Sequence, residues 1–221
     1  MFENWNVISA KLLPSVLETF EMVIFSSLFA ILIGLPIGVF LVVSDKNGLN
    51  KMPVAHAIVA FIVNIGRSLP FIVLMVAISG FTKLVVGSRI GWEAATVPLA
   101  VGAMPFYARL AETAIREVER GKIESAQMMG ASRWQIITGV LIPEAVPGLV
   151  SGATITVVTL VSYSAMAGFV GGGGLGALAQ NYGWSRFMGD VMLVTVIAII
   201  IVVQIFQLLG DACAKRMDHR R

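Results

Sequence analysis

Charged side chains are scarce in this sequence. Only 13% of its 221 residues are Asp, Glu, Lys or Arg, whereas 57% are hydrophobic, and the mean hydropathy is +0.87. Soluble domains carry about 25% charged residues, so this composition excludes an ordinary water-soluble domain. The chain is predicted to be a membrane protein.

Cysteine and histidine are nearly absent. The single cysteine, Cys213, has no partner for a disulfide, and His56 and His219 stand at no readable spacing from a nucleophile and a carboxylate. No ligand pattern for a metal is visible. We therefore expect no catalytic residue and no metal site, and we interpret Cys213 as an incidental thiol.

A phosphate-binding loop is also absent, because the pattern G-x-x-x-x-G-K-[ST] does not occur. Glycines 171, 173 and 176 formally satisfy G-x-G-x-x-G, but they end a bilayer-length apolar run instead of following a strand. We expect this glycine run to let the backbone turn or approach a neighbour closely. The chain is expected to need no cofactor, and any ATP chemistry belongs to another polypeptide.

Long apolar runs dominate what is present. A helix that spans a bilayer needs about 20 mostly apolar residues. Five segments approach this length, the third being shorter and interrupted by two prolines: Met22 to Val43, Ala57 to Val76, Ala94 to Leu110, Ala145 to Val170 and Val191 to Leu209. The sequence predicts an all-α integral membrane protein with five transmembrane helices.

The short polar connections predict the orientation, because Lys and Arg accumulate on the cytoplasmic side of membranes. Basic residues follow spans one, three and five: Lys46, Lys51, Arg116, Arg120, Lys122, Arg133, Lys215, Arg216, Arg220 and Arg221. We expect the N-terminus outside and the C-terminus in the cytoplasm. The basic pI near 9.2 is then a topology signal, and nucleic acid is not expected as a partner.

The longest polar interruption is residues 117–143, between spans three and four. Ile123, Ala126 and Met129 recur at three-residue spacing, Gly130 breaks the run, and apolar residues resume it from Trp134. This pattern predicts a helix, a glycine turn and a second helix. A membrane protein that keeps such a cytoplasmic element is expected to offer it to a soluble partner, although an ordinary interfacial helix would share the periodicity.

Two polar clusters lie inside predicted spans. Asn64, Arg67 and Ser68, just before Pro70, indicate either a polar path or a helix end at the outer interface, because a buried Arg is costly in a bilayer. The second cluster consists of Tyr163, Ser164 and Met166. The residues of this second cluster are candidates for a translocation path or for hydrogen bonds between helices.

Small residues at fourfold spacing occur inside two spans. Gly34-x-x-x-Gly38 and Gly148-x-x-x-Gly152 are typical of helices whose backbones approach closely. We interpret both pairs as packing positions.

The polar loop resembles the cytoplasmic loop of ABC-type importer permeases, which runs E-A-A, three residues, G, nine residues, I-x-L-P. The matching positions in this chain are Glu124, Ser125, Ala126, Gly130, Val140, Ile142 and Pro143. The departures are Ser for Ala, Val for Ile and Ile for Leu.

The resemblance extends over nearly the whole chain. Five further stretches look like the permeases of methionine importers: residues 64–71, 141–150, 152–156, 163–168 and 173–176. They begin with Asn64-Ile65-Gly66-Arg67 and end with Gly173-Gly174-Leu175-Gly176.

This resemblance implies a single permease domain, residues 1–221, with the type I ABC importer fold and a coupling helix in the loop 117–143. It implies a homodimer in the bacterial inner membrane, bound to two cytoplasmic ATPase subunits that carry ATP and Mg, and an external lipoprotein that delivers methionine, in the L or D form. Residues implied in coupling are Glu124, Ser125, Ala126, Met129, Gly130, Ala131 and Pro143.

Alternatives stay open at this point. Permeases for another amino acid or for a quaternary amine carry the same loop motif. A membrane scaffold that anchors an ATPase would also need a docking loop, although Asn64 and Arg67 argue weakly against it. A membrane-embedded enzyme is disfavoured because no nucleophile and base are visible.

Overall fold

The computed structural model describes residues 3–217, and within this range the chain forms helices and no strand. His219, Arg220 and Arg221 lie outside the described residues. The α-helices are, in chain order, α1 Trp5–Val43, α2 Pro53–Ser68, α3 Phe71–Ala77, α4 Ser79–Val86, α5 Trp92–Arg116, α6 Arg120–Met128, α7 Arg133–Ile136, α8 Ile142–Gly168, α9 Gly174–Leu178 and α10 Gly189–Met217. Two π-helical turns, Ile137–Leu141 and Ala179–Trp184, join α7 to α8 and follow α9.

Three helical segments of the described chain are long and apolar enough to cross a membrane. They are α1, the continuous run Arg133–Gly168 and α10, with 39, 36 and 29 residues. The predicted spans one and five lie within α1 and α10, and span four runs to Val170, just beyond this segment. Helix α1 also begins 17 residues before the predicted start at Met22.

The second predicted span is not one continuous helix, which corrects the interpretation of Ala57 to Val76. Helix α2 ends at Ser68, α3 begins at Phe71, and their axes are bent by 105°. Pro70 explains the break, because proline lacks an N–H and disfavours the helical conformation of the residue before it. Asn64, Arg67 and Ser68 therefore occupy the end of a helix.

Helix α5 contains the third predicted span, Ala94 to Leu110. It is continuous over 25 residues, through Pro98 and Pro105. By length and composition, three helices of the described chain could cross a membrane, or four if α2 and α3 form one broken span. The crossing by α5, and with it the count of five, stays a prediction.

The chain divides into two compact units. Unit 1 consists of Met1–Leu28, Leu69–Ala103 and Val157–Gln207, and unit 2 consists of Phe29–Ser68, Met104–Thr156 and Leu208–Arg221. Each unit combines three separate stretches of sequence, so α1, α5, α8 and α10 contribute to both.

Glycines allow close helix packing within unit 2. A Cβ atom at Gly38 would lie 2.7 Å from the carbonyl oxygen of Ala108, and one at Gly148 would lie 2.8 Å from the Cβ of Ala114. Real Cβ atoms do not approach so closely, so both positions require glycine. The interpretation of the two glycine pairs as packing positions is confirmed at these residues.

The core of unit 2 joins α5 to the polar loop. Tyr107, Ala111 and Ile115 of α5 are buried in one cluster with residues from α6, α7 and the start of α8, namely Ala126, Ile136, Leu141, Ala145 and Leu149. The loop is therefore part of a packed core, because its inward residues bury apolar surface against α5.

Candidate functional site

The polar loop folds as predicted, as a helix, a glycine turn and a second helix. Helix α6 ends at Met128, and Gly130 adopts a left-handed conformation with φ of +79°. The Ala131 N–H donates to the Ala126 carbonyl at 3.1 Å, and the Gly130 N–H donates to the Gln127 carbonyl at 3.0 Å. These two bonds form a Schellman C-cap, in which glycine is favoured because it has no Cβ.

The second helix begins with a capping box that the sequence interpretation missed. The Ser132 hydroxyl accepts a hydrogen bond from the Gln135 N–H at 3.4 Å, and the Gln135 side chain accepts one from the Ser132 N–H at 2.8 Å. The signal S-x-x-Q after a glycine was available in the sequence. Together the C-cap and the capping box fix the path of the chain between α6 and α7.

The loop has a buried face and an exposed apolar tip. Ala126 and Ile136 are buried in the core of unit 2. Met128, Met129 and Trp134 are 84%, 81% and 71% exposed. Three large apolar side chains that project from a polar loop indicate a contact surface, either for another protein or for the membrane. We call these three residues the apolar tip.

The other predicted coupling residues occupy both faces. Glu124 and Ser125 are exposed on α6, and the Ser125 hydroxyl donates to the Gly121 carbonyl at 2.7 Å. Pro143 is exposed in the first turn of α8, and Ala131 is half-buried after the turn. Ala126 is buried, so it holds α6 in place and offers no surface to a partner.

Polar contacts connect the loop to its surroundings in unit 2. Lys122 forms an ion pair with Glu144 of α8, with 2.6 Å between Nζ and Oε2. Arg133 donates to the side-chain oxygen of Asn50, in the connection after α1, at 2.7 Å. The first contact joins α6 to α8, and the second joins α7 to the connection after α1.

A charged network on α5 was missed from the sequence. Glu112 is only 4% exposed. Its carboxylate accepts hydrogen bonds from Arg109 at 2.5 Å and from the Arg116 Nε at 3.0 Å. Arg109 also donates to the Asn64 side chain at 2.7 Å, and Arg116 pairs with Asp45 at 2.7 Å. The spacing Arg109-x-x-Glu112-x-x-x-Arg116 on one helix face was the available signal.

The network reaches the neighbourhood of the loop. Asp45 and Arg116 line a cavity of about 410 Å³. Ile123, Glu124 and Gln127 of α6 line the same cavity. One side of α6 therefore faces the same cavity as two members of the charged network, Arg116 on α5 and Asp45 in the connection after α1.

The hydrogen bond from Arg116 holds the pKa of Asp45 below its ordinary value of 3.8, despite the opposing effect of burial. A lowered carboxyl pKa in the folded state adds stability that is fully present above pH 3.8 and is lost as the pH falls through the lowered value. We expect the Asp45–Arg116 pair to stay intact at neutral pH. Asp45→Asn should remove this acid-dependent contribution. The natural chain should therefore melt at a higher temperature than the variant at neutral pH, and the two melting temperatures should converge below about pH 4. Thermal melting at a series of pH values measures this.

The first predicted polar cluster lies in unit 2 at the end of α2. Asn64 is held by Arg109, and the Ser68 hydroxyl donates to the Asn64 carbonyl at 2.9 Å. Arg67 is exposed. The cluster therefore has one fixed member, Asn64, and its assignment to a translocation path stays a prediction.

The second predicted cluster lies in unit 1 near the end of α8. The Tyr163 ring stacks on Phe71, with 4.8 Å between centroids and 4° between planes. Ser164 is buried and donates to the Val161 carbonyl at 2.8 Å, whereas Met166 is 42% exposed. Its role in a path stays a prediction as well.

The glycine run after α8 turns the chain, as predicted. Gly171 has φ of +88°, and the Gly172 N–H donates to the Ala167 carbonyl at 2.9 Å.

Among residues 3–217, no group of three or more His, Cys, Asp or Glu side chains is placed to hold a metal ion.

The sequence of residues 30–221 matches the family of binding-protein-dependent transport system inner membrane components. The chain belongs to this family. As a member of it, the chain is a membrane component of a transport system, and its exposed loop and apolar helices fit that description.

Relatives of this transport component have closely similar sequences. The probable D-methionine transport system permease protein MetI of Vibrio cholerae is 52% identical over 219 residues, covering 98% of this chain and 97% of the relative. The methionine import system permease protein MetP of Bacillus subtilis is 43% identical over 180 residues, which is 81% of each chain.

Solved structures confirm the predicted fold. A chain from the MetNI methionine ABC transporter, in an inward-facing conformation, superposes with a TM-score of 0.94 at 43% identity and covers 96% of this transport component and 98% of that chain. An amino acid ABC transporter superposes with a TM-score of 0.74 at 16% identity over 96% of this chain and 94% of that chain, and this likeness concerns the fold alone.

Proposed function

We propose that this chain is the permease subunit of an ABC importer that moves methionine into the cytoplasm. The observation that carries the proposal is the likeness over nearly the full length to methionine permeases, by sequence and by fold. The packed loop with its apolar tip also supports the proposal, because it is a rigid element that an ATPase subunit could bind and move.

The complex that we propose contains two copies of this chain, two cytoplasmic ABC ATPase subunits and an external lipoprotein that binds methionine. ATP and Mg bind to the ATPase subunits, since this sequence has no phosphate-binding loop. The basic connections orient the protein in the inner membrane with its N-terminus outside and its C-terminus in the cytoplasm. The loop 117–143 then faces the ATPase.

The loop geometry supports the following coupling step. Met128, Met129 and Trp134 bury their apolar surface in a groove of the ATPase. The ATPase subunits close when they bind ATP, which displaces α6, and α6 displaces α5 and α8 through Ala126 and Ile136 of the shared core. ATP must bind the closed arrangement more tightly than the open one for this shift to occur.

The turn at Gly130 offers a test of docking, because two variants of equal size can be compared that carry the same strain of the left-handed backbone. No atom lies within 4 Å of a Cβ built at Gly130, and both Asp and Asn tolerate a left-handed conformation. We expect Gly130→Asp to reduce the ATPase that co-purifies with the permease by about tenfold, because its charge must be desolvated beside the apolar tip.

Gly130→Asn is the matched control, since it has the same size and no charge, and it should retain most of the ATPase. Equal amounts of inserted permease must be compared on a blot of the membranes. Undiminished ATPase with Gly130→Asp would contradict docking through the apolar tip.

Uptake of radiolabelled methionine into liposomes tests the proposed function. The liposomes contain this chain with its ATPase, the binding protein is added outside, and ATP is enclosed or omitted. We expect accumulation that requires ATP and that a Glu124→Ala/Gly130→Asp variant abolishes. ATP hydrolysis without methionine uptake would indicate that the substrate is another amino acid or a quaternary amine. Binding of the ATPase without any stimulated hydrolysis would indicate a scaffold.

A further inference from the structure

Unit 1 contains a cavity of about 520 Å³ that the translocation-path residues do not line. Its volume is within the range of about 300–1,000 Å³ that small-molecule sites occupy. The side chains around it combine one carboxylate, two amides and two aromatic rings, namely Glu18, Gln180, Asn181, Trp92 and Phe169. The glycine run also lines the cavity, at Gly171 and Gly173.

The carboxylate is held in a fixed position. Glu18 Oε2 accepts a hydrogen bond from the Gly174 N–H at 2.6 Å, and the neighbouring Thr19 hydroxyl accepts one from the Leu175 N–H at 2.9 Å. A carboxylate offers about four acceptor sites, so one backbone donor leaves capacity for a second partner. Glu18 is half-buried, which strengthens its attraction for a cation relative to a fully exposed carboxylate.

The amides and rings are also placed by specific structure. Gln180 and Asn181 belong to the π-helical turn Ala179–Trp184, and such turns are often found at functional sites. Trp92 stacks on Phe25, with 6.2 Å between the ring centroids. The cavity therefore has a side-chain carboxylate, amide donors and an aromatic wall within one unit.

We propose that this cavity binds a zwitterionic amino acid with an apolar side chain. Glu18 pairs with the ammonium group, Gln180 and Asn181 donate to the carboxylate, and Trp92 and Phe169 contact the side chain. A thioether suits such a wall because sulfur makes favourable contacts with aromatic rings. The inference rests on the proposed function, since it assigns methionine a binding site on the permease.

Equilibrium binding separates recognition of the ammonium group from the structural role of Glu18. The purified complex of this chain with its ATPase, in lipid nanodiscs without nucleotide, is titrated with radiolabelled L-methionine and with 4-(methylthio)butanoate, which lacks the amine. The ATPase alone is measured in parallel, so that any methionine it binds is subtracted.

Glu18→Gln retains an acceptor for the Gly174 N–H and removes the charge. We expect it to weaken methionine binding by about 10- to 100-fold, the scale of one hydrogen bond to a charged group, and to leave binding of the deaminated analogue unchanged. Thr19→Val is the matched control. It breaks the adjacent hydrogen bond to Leu175 without altering a cavity-lining side chain, and it should change either affinity by less than about threefold.

The inference is overturned if Glu18→Gln binds methionine as the natural chain does, if Thr19→Val weakens binding as much, or if the analogue loses as much affinity as methionine. It also fails if the natural complex binds no methionine beyond that of the ATPase alone. Uptake into liposomes tests the proposed function separately. If the complex transports methionine and one of these binding outcomes is also found, only the assignment of methionine to this cavity is refuted.

Discussion

Glu112→Gln is expected to lower the melting temperature of the purified protein by roughly 4–12 °C. Glu112 is buried and lies between Arg109 and Arg116. Glutamine keeps the size of the side chain but has one acceptor oxygen in place of two, so its NH2 group must face one of the two guanidinium groups, which are themselves only donors. Loss of one member of a buried ion pair costs about 3–5 kcal/mol, and the partial exposure of the two arginines places this site at or below the lower end.

The same variant should reduce the amount of methionine taken up for each ATP hydrolysed. Arg109 holds Asn64, and Arg116 holds Asp45 beside the cavity that α6 lines. Without the carboxylate, Arg109 and Arg116 no longer bind the same charged group. We therefore expect movement of α6 to be transmitted less efficiently to α2. Simultaneous assays of uptake and phosphate release in liposomes give this ratio.

Lys122→Gln is the control for a salt bridge outside this network. Its partner Glu144 is about one-third exposed and Lys122 more so, and exposed ion pairs contribute about 0–1 kcal/mol. We expect a shift of less than about 4 °C. The expected role of Glu112 is refuted if both variants have the melting temperature of the natural chain and retain its ratio of methionine uptake to ATP hydrolysis.

Gly176→Ala is expected to destabilise unit 1 by roughly 3 kcal/mol or more, the upper range for overpacked sites. A Cβ at Gly176 would overlap the carbonyl oxygen of Ala165, and one at Gly168 would overlap the backbone of Gly176 and Ala177. These obstacles are backbone atoms of α8 and α9, so no side chain can rotate away. The added methyl group must separate the two helices.

The yield of monodisperse protein in detergent and its melting temperature measure this effect. Gly80→Ala in α4 is the matched control, because nothing lies within 4 Å of a Cβ at that position. Alanine favours a helix by about 1 kcal/mol relative to glycine, so the control should be neutral or slightly more stable. If Gly176→Ala is as stable as Gly80→Ala, the close approach of α8 and α9 is not required.

The polar loop could be predicted in detail because its signals are local. The three-residue spacing of apolar residues, the glycine at a left-handed turn and the polar surroundings all lie within 117–143. The burial of Ala126 and the exposure of Met129 could not be predicted, since both residues belong to the same periodic pattern. Which of them meets the core depends on α5, more than ten residues away in sequence.

The break between α2 and α3 was only partly visible in the sequence, where a helix end before Pro70 was one of two interpretations of Asn64, Arg67 and Ser68. Apolar residues continue through Ala57 to Val76, and a proline in a membrane segment is often tolerated, so the run resembles one span. The contacts of Glu18 and Thr19 with Gly174 and Leu175 join residues 156 positions apart. No local sequence pattern predicts contacts over such a separation, and the cavity beside them was therefore not predicted.

The apolar tip contains two methionines, Met128 and Met129, and this choice has a mechanical consequence. Their side chains are unbranched and polarisable, so they can repack against a surface whose shape changes. The base of α6 is stiff because Ala126 is packed in a dense core. In the complex that we propose, flexible side chains at the end of a firmly packed helix would keep their contacts while the angle between permease and ATPase changes. The interface would then not have to dissociate and form again in each transport cycle.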